Sequence, residues 1–259
     1  MNCGRWNPAL WGYAGTIRKL GHDMGFVKLV IVGCVALYLL SYLVDPQPGS
    51  GLMTLLSPGG RGLFLFGASG AIPVFGYVRW WTVLSAGWLH GGLLHILFNM
   101  MWVRNLAPPT AEIYGAGRMI IIYSASSISG FLLSSFMGYA FPWLPSFLRG
   151  ASLTVGASAP IFGLLGALVY SGRRGASSTV SRQAWSFAVI LFFFGIIFPG
   201  VDNYAHAGGF VGGYAIAKWL DPMTPERGDH LVIAVICLGA TALSIVASIV
   251  FGLPLLTQQ

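Results

Sequence analysis

The chain has 259 residues, of which 56% are hydrophobic and only 8% charged. A soluble domain carries about 25% charged residues, so a water-soluble globular fold is excluded and a membrane domain is indicated. The formal net charge of +7 comes from basic residues scattered along the loops, with no basic stretch interleaved with aromatics. That pattern argues against a nucleic-acid partner and for a topological signal.

In chain order, residues 1–25 read as a short polar tail bearing Arg5, Arg18 and Lys19, and Phe26–Val44 as the first span. The length of that run and the lack of a small-residue cleavage site make it a retained anchor. Asp45 to Val78 is rich in Gly and Pro, and its apolar pieces are too short to cross. A structured loop at the interface is expected, ending at Trp80 and Trp81, residues suited to an aromatic belt. The second span is expected from about Leu89 to Leu106 and the third from about Met119 to Met137, with Gly138 to Leu153 as a loop. The fourth starts near Ser158 and ends before Arg173 and Arg174. The fifth, Ala184 to Phe198, is rather short. Tyr204 to Leu220 makes the sixth and Leu231 to Leu253 the seventh.

The fold class is therefore an all-α polytopic membrane protein in which spans of about 20 residues are joined by short loops. Its 36 glycines suit helices whose backbones approach closely. Cys3, Cys34 and Cys237 supply no disulfide framework and read as free thiols. With the N-terminus inside, eleven of the 14 basic residues fall on the inner side. Only Arg61, Arg79 and Arg149 are left outside, a strong positive-inside bias. Seven spans then put the C-terminus outside, and the expected location is a plasma (inner) membrane.

Four polar residues interrupt the apolar runs: Ser158, His206, His95 and Asn99. Hydrocarbon offers them no water, so an intramembrane ionisable residue marks a functional site by default. Under the orientation above, all of them belong to spans that run inward from the outer side and lie near the outer surface. Pro160 lacks an amide hydrogen, which costs least in a first helical turn. Ser158 is thereby placed at a helix start, where free amides favour a developing oxyanion. A serine in a membrane helix also commonly just bonds a carbonyl. Gly67-Ala68-Ser69-Gly70 repeats the short pattern with no spanning helix after it, and is set aside as loop structure.

Gly209 and Gly213 follow His206 at i+3 and i+7, so its helix face can press closely on a neighbour. Gly163 and Gly166 in the fourth span offer a matching surface, and Phe162 is placed to pack on the imidazole. A histidine bonded to a neighbouring carbonyl is the plainer alternative. His95 and Asn99, four apart, share one face and can both donate hydrogen bonds, as an oxyanion hole requires. Interhelical packing is the competing role for Asn99. His90 lies about 140° round a helix from His95, or still in the loop. A zinc site on His90, His95 and His206 lacks any His-Glu-x-x-His pattern and is not favoured.

Taken together, these residues resemble the rhomboid family of intramembrane serine proteases. The matching features are His90, the His95-Ile-Leu-Phe-Asn99 run, Gly156-x-Ser158 and Ala205-His206-x-x-Gly209-x-x-x-Gly213, in the family's order. Glu112 and the run Tyr114 to Arg118, expected in the loop after the second span, match as well. The resemblance covers about Trp80 to Asp221. It implies Ser158 as nucleophile, His206 as general base, and His95, Asn99 and the Ser158 amide as the oxyanion hole. His90, Phe162, Gly156, Gly209 and Gly213 would support them.

The resemblance further implies a six-span catalytic domain over residues 26–220 and an extra C-terminal transmembrane helix within 221–259. No metal or organic cofactor is implied. The partners would be transmembrane protein substrates within the lipid bilayer, cleaved at peptide bonds in or near their spans. Asp202 reads as interfacial, not as a third catalytic member. Arg79-Trp80-Trp81-Thr82 departs from the family's Trp-Arg in the first outer loop, and Ala159-Pro160 from its usual glycine after the serine. An inactive client-binding relative would typically lack the serine or the histidine. A transporter would carry polar residues through the whole bilayer depth and would tend to show repeated halves.

Overall fold

The computed structural model describes residues 22–49, 51–145, 148–198 and 200–257. Most of the N-terminal tail, including Cys3, Arg5, Arg18 and Lys19, lies outside them. The described residues contain seven long helices, which we number α1 (Phe26–Val44), α2 (Leu93–Tyr114), α3 (Ala116–Ala140), α4 (Ser158–Arg173), α5 (Ser178–Ile197), α6 (Asn203–Trp219) and α7 (Gly228–Thr257). Cys34 and Cys237 are free. The chain is an integral, multi-pass, all-α membrane protein.

Four of the helices, α1, α3, α5 and α7, are long and apolar enough to cross a bilayer by themselves. The other three, α2, α4 and α6, fall short, and these carry His95, Ser158 and His206. The physical reason lies in their surroundings. Twelve of the sixteen residues of α4 are buried, so neighbouring helices, not lipid, form its solvent. A polar or glycine-rich helix is tolerated at membrane depth when protein surrounds it. By contrast α5 and α7 turn Ile190, Phe193, Val235 and Leu243 outward.

The boundaries depart from expectation in three places. The α2 helix begins at Leu93, because Leu89 to Gly92 is non-helical and packs as a buried entry segment. His90 belongs to that segment. At its other end α2 continues to Tyr114 through Pro108 and Pro109, so Glu112 and Tyr114 are helical and not loop residues. Prolines persist inside membrane helices where side chains and packing re-satisfy the freed carbonyls. Packing surrounds this part of α2, where Leu106, Ala107, Thr110 and Ala111 are all buried. The α5 helix begins six residues early, capped by the Ser177 side chain, and so includes Arg182. Trp81 Nε1 donates to Ser248 Oγ on α7 at 3.1 Å.

The segment between α1 and α2 folds as short helical pieces, Leu52–Leu55, Gly60–Phe66 and Thr82–Ser85 among them. Asp45 organises its start: its carboxylate accepts from the Arg61 and Gly62 amides. Ser69, the decoy serine, is fully buried and pairs by backbone with Thr154, four residues before the candidate nucleophile. The loop is thus stitched to the strand-like approach to α4. At the far end of the bundle from Ser158, Arg173 lies in the last turn of α4 and Lys218 in the last turn of α6, and Arg118 donates to the carbonyls of Leu220, Asp221 and Thr224.

Candidate active site

Ser158 is the first residue of α4, with Ala157 as its N-cap and Pro160 in the first turn. No side chain caps this helix, so its first amides stay available. The backbone enters through Gly156 at φ 133, a conformation that glycine adopts without strain. The Gly156 amide is held by the Ala86 carbonyl at 2.9 Å. A methyl group on Gly156 would stand 2.6 Å from His95 Nε2 and 3.7 Å from Ser158 Oγ. The imidazole and the hydroxyl therefore flank one small volume beside Gly156, and only glycine leaves that volume open.

His95 sits in the first turn of α2. Its Nδ1 accepts the Gly91 amide at 3.4 Å, which leaves Nε2 to carry the proton and donate it toward the same volume. His90 packs edge-on against His95, ring centroids 5.2 Å apart, and its Nε2 accepts the Ala157 amide. His90 thus ties the entry to α2 to the entry to α4. Asn99, one turn further along α2, is buried and donates Nδ2 to the His95 carbonyl at 2.9 Å. One of its two amide hydrogens remains unassigned by that bond.

His206 lies in the first turn of α6, almost fully buried, with its ring stacked on Phe162 at 4.2 Å and 13° between planes. Phe162 is one turn below Ser158 on α4, so the stack aligns the imidazole along the serine's own helix face. The two helices meet backbone to backbone. A side chain on Gly209 would strike the Ala159 carbonyl, and one on Gly213 would strike Gly163. Gly130 of α3 closes the third side, within van der Waals range of Ala159 and Ala205. No hydrogen bond joins Ser158 to His206 among the described residues, and such bonds often tighten only when substrate is bound.

His206 Nδ1 is buried with no partner among the described residues. Asp202 does not reach that atom. Its Oδ1 caps α6 by accepting the Ala205 amide at 3.0 Å, and its Oδ2 accepts from Ser134 Oγ at 2.5 Å. Asp202→Ala should cost about 1–2 kcal/mol through the lost cap and bond. Under the dyad proposed below, cleavage per folded molecule should stay within about tenfold of wild type, measured by thermal unfolding and rate on the same preparation.

With this geometry in place, relatives can be compared. The family model described as the Rhomboid domain matches residues 77–221. The chain belongs to the rhomboid family. The rhomboid protease GluP of Bacillus subtilis (strain 168) is 33% identical over 162 residues, 61% of this chain and 30% of its own. RHOMBOID-like protein 4 of Arabidopsis thaliana is 32% identical over 140 residues, covering 52% and 33%. Rhomboid-like protease 3 of Toxoplasma gondii is 29% identical over 165 residues, covering 61% and 58%. The chain spans about a third to three-fifths of the length of these relatives. The rhomboid family includes named proteases, and the matched domain contains α2 to α6, hence every candidate residue above.

Two features of this rhomboid escaped the sequence. Glu112 is exposed, and the carboxylate serving the Tyr114–Arg118 turn is Glu226, whose Oε1 accepts the Arg118 amide at 2.8 Å. More than 100 residues separate them, so no local spacing could signal it. The second feature is Arg79, buried although loop-borne. Its guanidinium lies 4.2 Å over the Phe64 ring and donates to the Phe64 and Ser248 carbonyls, each at 2.9 Å.

Proposed function

We propose that this rhomboid is an intramembrane serine endopeptidase that hydrolyses peptide bonds in or near transmembrane segments of other membrane proteins. The observation that supports the reading is convergence at one end of α4. Ser158, the Nε2 of His95 and the Phe162-stacked imidazole of His206 all sit in the first turns of their helices.

In the proposed reaction Ser158 Oγ attacks the substrate carbonyl carbon while His206 Nε2 accepts the hydroxyl proton. The negative charge that forms on the carbonyl oxygen meets the Ser158 amide, the His95 Nε2–H and, after rotation from the His95 carbonyl, the Asn99 amide. Fixed donors aimed at a developing oxyanion are usually the largest single catalytic contribution. Collapse breaks the C–N bond, and the amine departs with the proton held by His206. Water, deprotonated by the same histidine, then releases the acyl group from Ser158.

A dyad without an acid needs its imidazole oriented by other means, and the Phe162 stack serves that purpose. The reading places the catalytic end toward the outer side, because the basic residues gather at the other end. A helical substrate must unwind there, since its peptide bonds are otherwise shielded. Residues 26–220 would form the catalytic unit, and α7 an addition to it.

Fluorophosphonate labelling of the full-length protein tests the assignment. Wild type should be labelled and both Ser158→Ala and His206→Ala should lose the label, since one removes the nucleophile and the other its base. Labelling of Ser158→Ala at the wild-type level would sink the proposal. His95→Ala should lower cleavage by about 10²- to 10³-fold, the usual effect of removing one oxyanion donor, with a smaller effect on labelling.

A further inference from the structure

At the basic end of the bundle, far along α4 from Ser158, an open groove of about 710 Å³ runs between α4, α5 and α6. Its lining combines Arg173 and Arg182 with the apolar side chains of Trp185, Phe210 and Val211. Trp185 and Phe210 lie edge to face at 5.7 Å, and Trp185 and Val211 are largely exposed. The serine hydroxyls lining it are already committed: Ser181 Oγ donates to the Val169 carbonyl and Ser186 Oγ to the Arg182 carbonyl.

The two arginines are not committed in the same way. Arg173 donates to Tyr214 Oη at 3.0 Å, an uncharged partner that leaves its charge uncompensated. The Arg182 guanidinium makes no hydrogen bond or ion pair to the described residues. The nearby acid, Asp221, is taken by Arg174 at 3.2 Å, and no carboxylate lines the groove among the described residues. Two uncompensated guanidiniums lining a mainly apolar groove call for an anion joined to hydrocarbon.

We infer that this groove binds one anionic glycerophospholipid, its phosphodiester bridged by Arg173 and Arg182 and an acyl chain lying along Trp185, Phe210 and Val211. Arginine suits this task because its planar fork matches phosphate oxygens in pairs. The site lies at the level where a headgroup meets acyl chain if the basic end faces the lipid–water boundary. The inference is independent of the dyad, since the groove contains neither Ser158 nor His206.

The test uses the full-length protein in detergent, exchanged against phosphatidylglycerol or phosphatidylcholine of identical acyl chains and read by native mass spectrometry. Wild type should retain one phosphatidylglycerol in preference to phosphatidylcholine. Arg173→Gln/Arg182→Gln should weaken that retention about 25-fold, each guanidinium supplying a factor of about 5. Arg174→Gln, whose side chain faces Asp221, should retain the lipid. Should the double variant not fold, Arg182→Gln alone carries the test through its unpartnered side chain, with a loss of about fivefold. Equal retention of the two lipids, or no loss in the variants, would overturn the inference. So would displacement by soluble glycerol 3-phosphate, which has the anion without the chains, or a dimer signal in place of bound lipid.

Discussion

Ser158→Ala should reduce cleavage of a model transmembrane substrate by at least about 10⁴-fold, because without the hydroxyl only oxyanion stabilisation and binding remain. The same change should leave the melting temperature nearly untouched. Ser158 is half-buried and its Oγ makes no hydrogen bond to the described residues, so no fold contact is lost. His206→Ala should lower the rate to the same floor but also destabilise the protein by about 1–3 kcal/mol, since the buried ring stacked on Phe162 leaves a void. The double variant should be no slower than either single one, as residues acting as a unit are non-additive. Purified protein in liposomes with a fluorescent substrate measures all three. Cleavage that survives in either single variant would refute the dyad.

The second large effect concerns packing. Gly213→Val should cost about 3 kcal/mol or more, because its first side-chain carbon would meet the Gly163 carbonyl carbon at 2.6 Å. Backbone cannot yield as a flexible side chain does, so α4 and α6 would have to part. For a protein of this size the melting temperature should fall by about 6–12 °C. Activity should fall with it, since α6 carries His206 and α4 carries Ser158. Gly239→Ala on α7 is the matched control, as nothing lies within 4 Å of its new methyl group. It should be neutral or slightly stabilising through helix propensity. A Gly213→Val protein that melts with wild type would show that the two helices do not depend on this contact.

The helices were legible where apolar length alone decides them: α1 has the expected bounds, and seven long helices stand where seven spans were read. Boundaries failed where local rules meet tertiary packing. The second span is expected to end near Leu106, yet α2 runs on through Pro108 and Pro109 to Tyr114, with Ala107, Thr110 and Ala111 buried in protein. The residues His95, Asn99, Ser158 and His206 could be picked out because polarity in hydrocarbon is conspicuous. Phe162, Gly209 and Gly213 could be picked out as well, by helix-face spacing, and the ring stack and close helix approach are found. Two long-range anchors could not. The Glu226 carboxylate under the Arg118 amide and the Arg79 contact with α7 join positions over 100 residues apart, and neither residue is unusual for its own neighbourhood.

The Arg79 contact gives the chain an order of completion. The guanidinium has two carbonyl partners, Phe64 in its own loop and Ser248 in the last helix, while Ser248 Oγ also receives Trp81 and Ser244 Oγ donates to the Trp81 carbonyl. During synthesis both Ser158 and His206 emerge before residues 244–248 exist. Until α7 is in place, a buried loop-borne positive charge has only one of its two carbonyl partners, and the loop stitched to the approach of Ser158 lacks its brace on α7. A chain interrupted before α7 would therefore contain Ser158, His206, His95 and Asn99 while lacking the contacts that hold Arg79 and Trp81. The last helix to be made serves as the latch on the first loop.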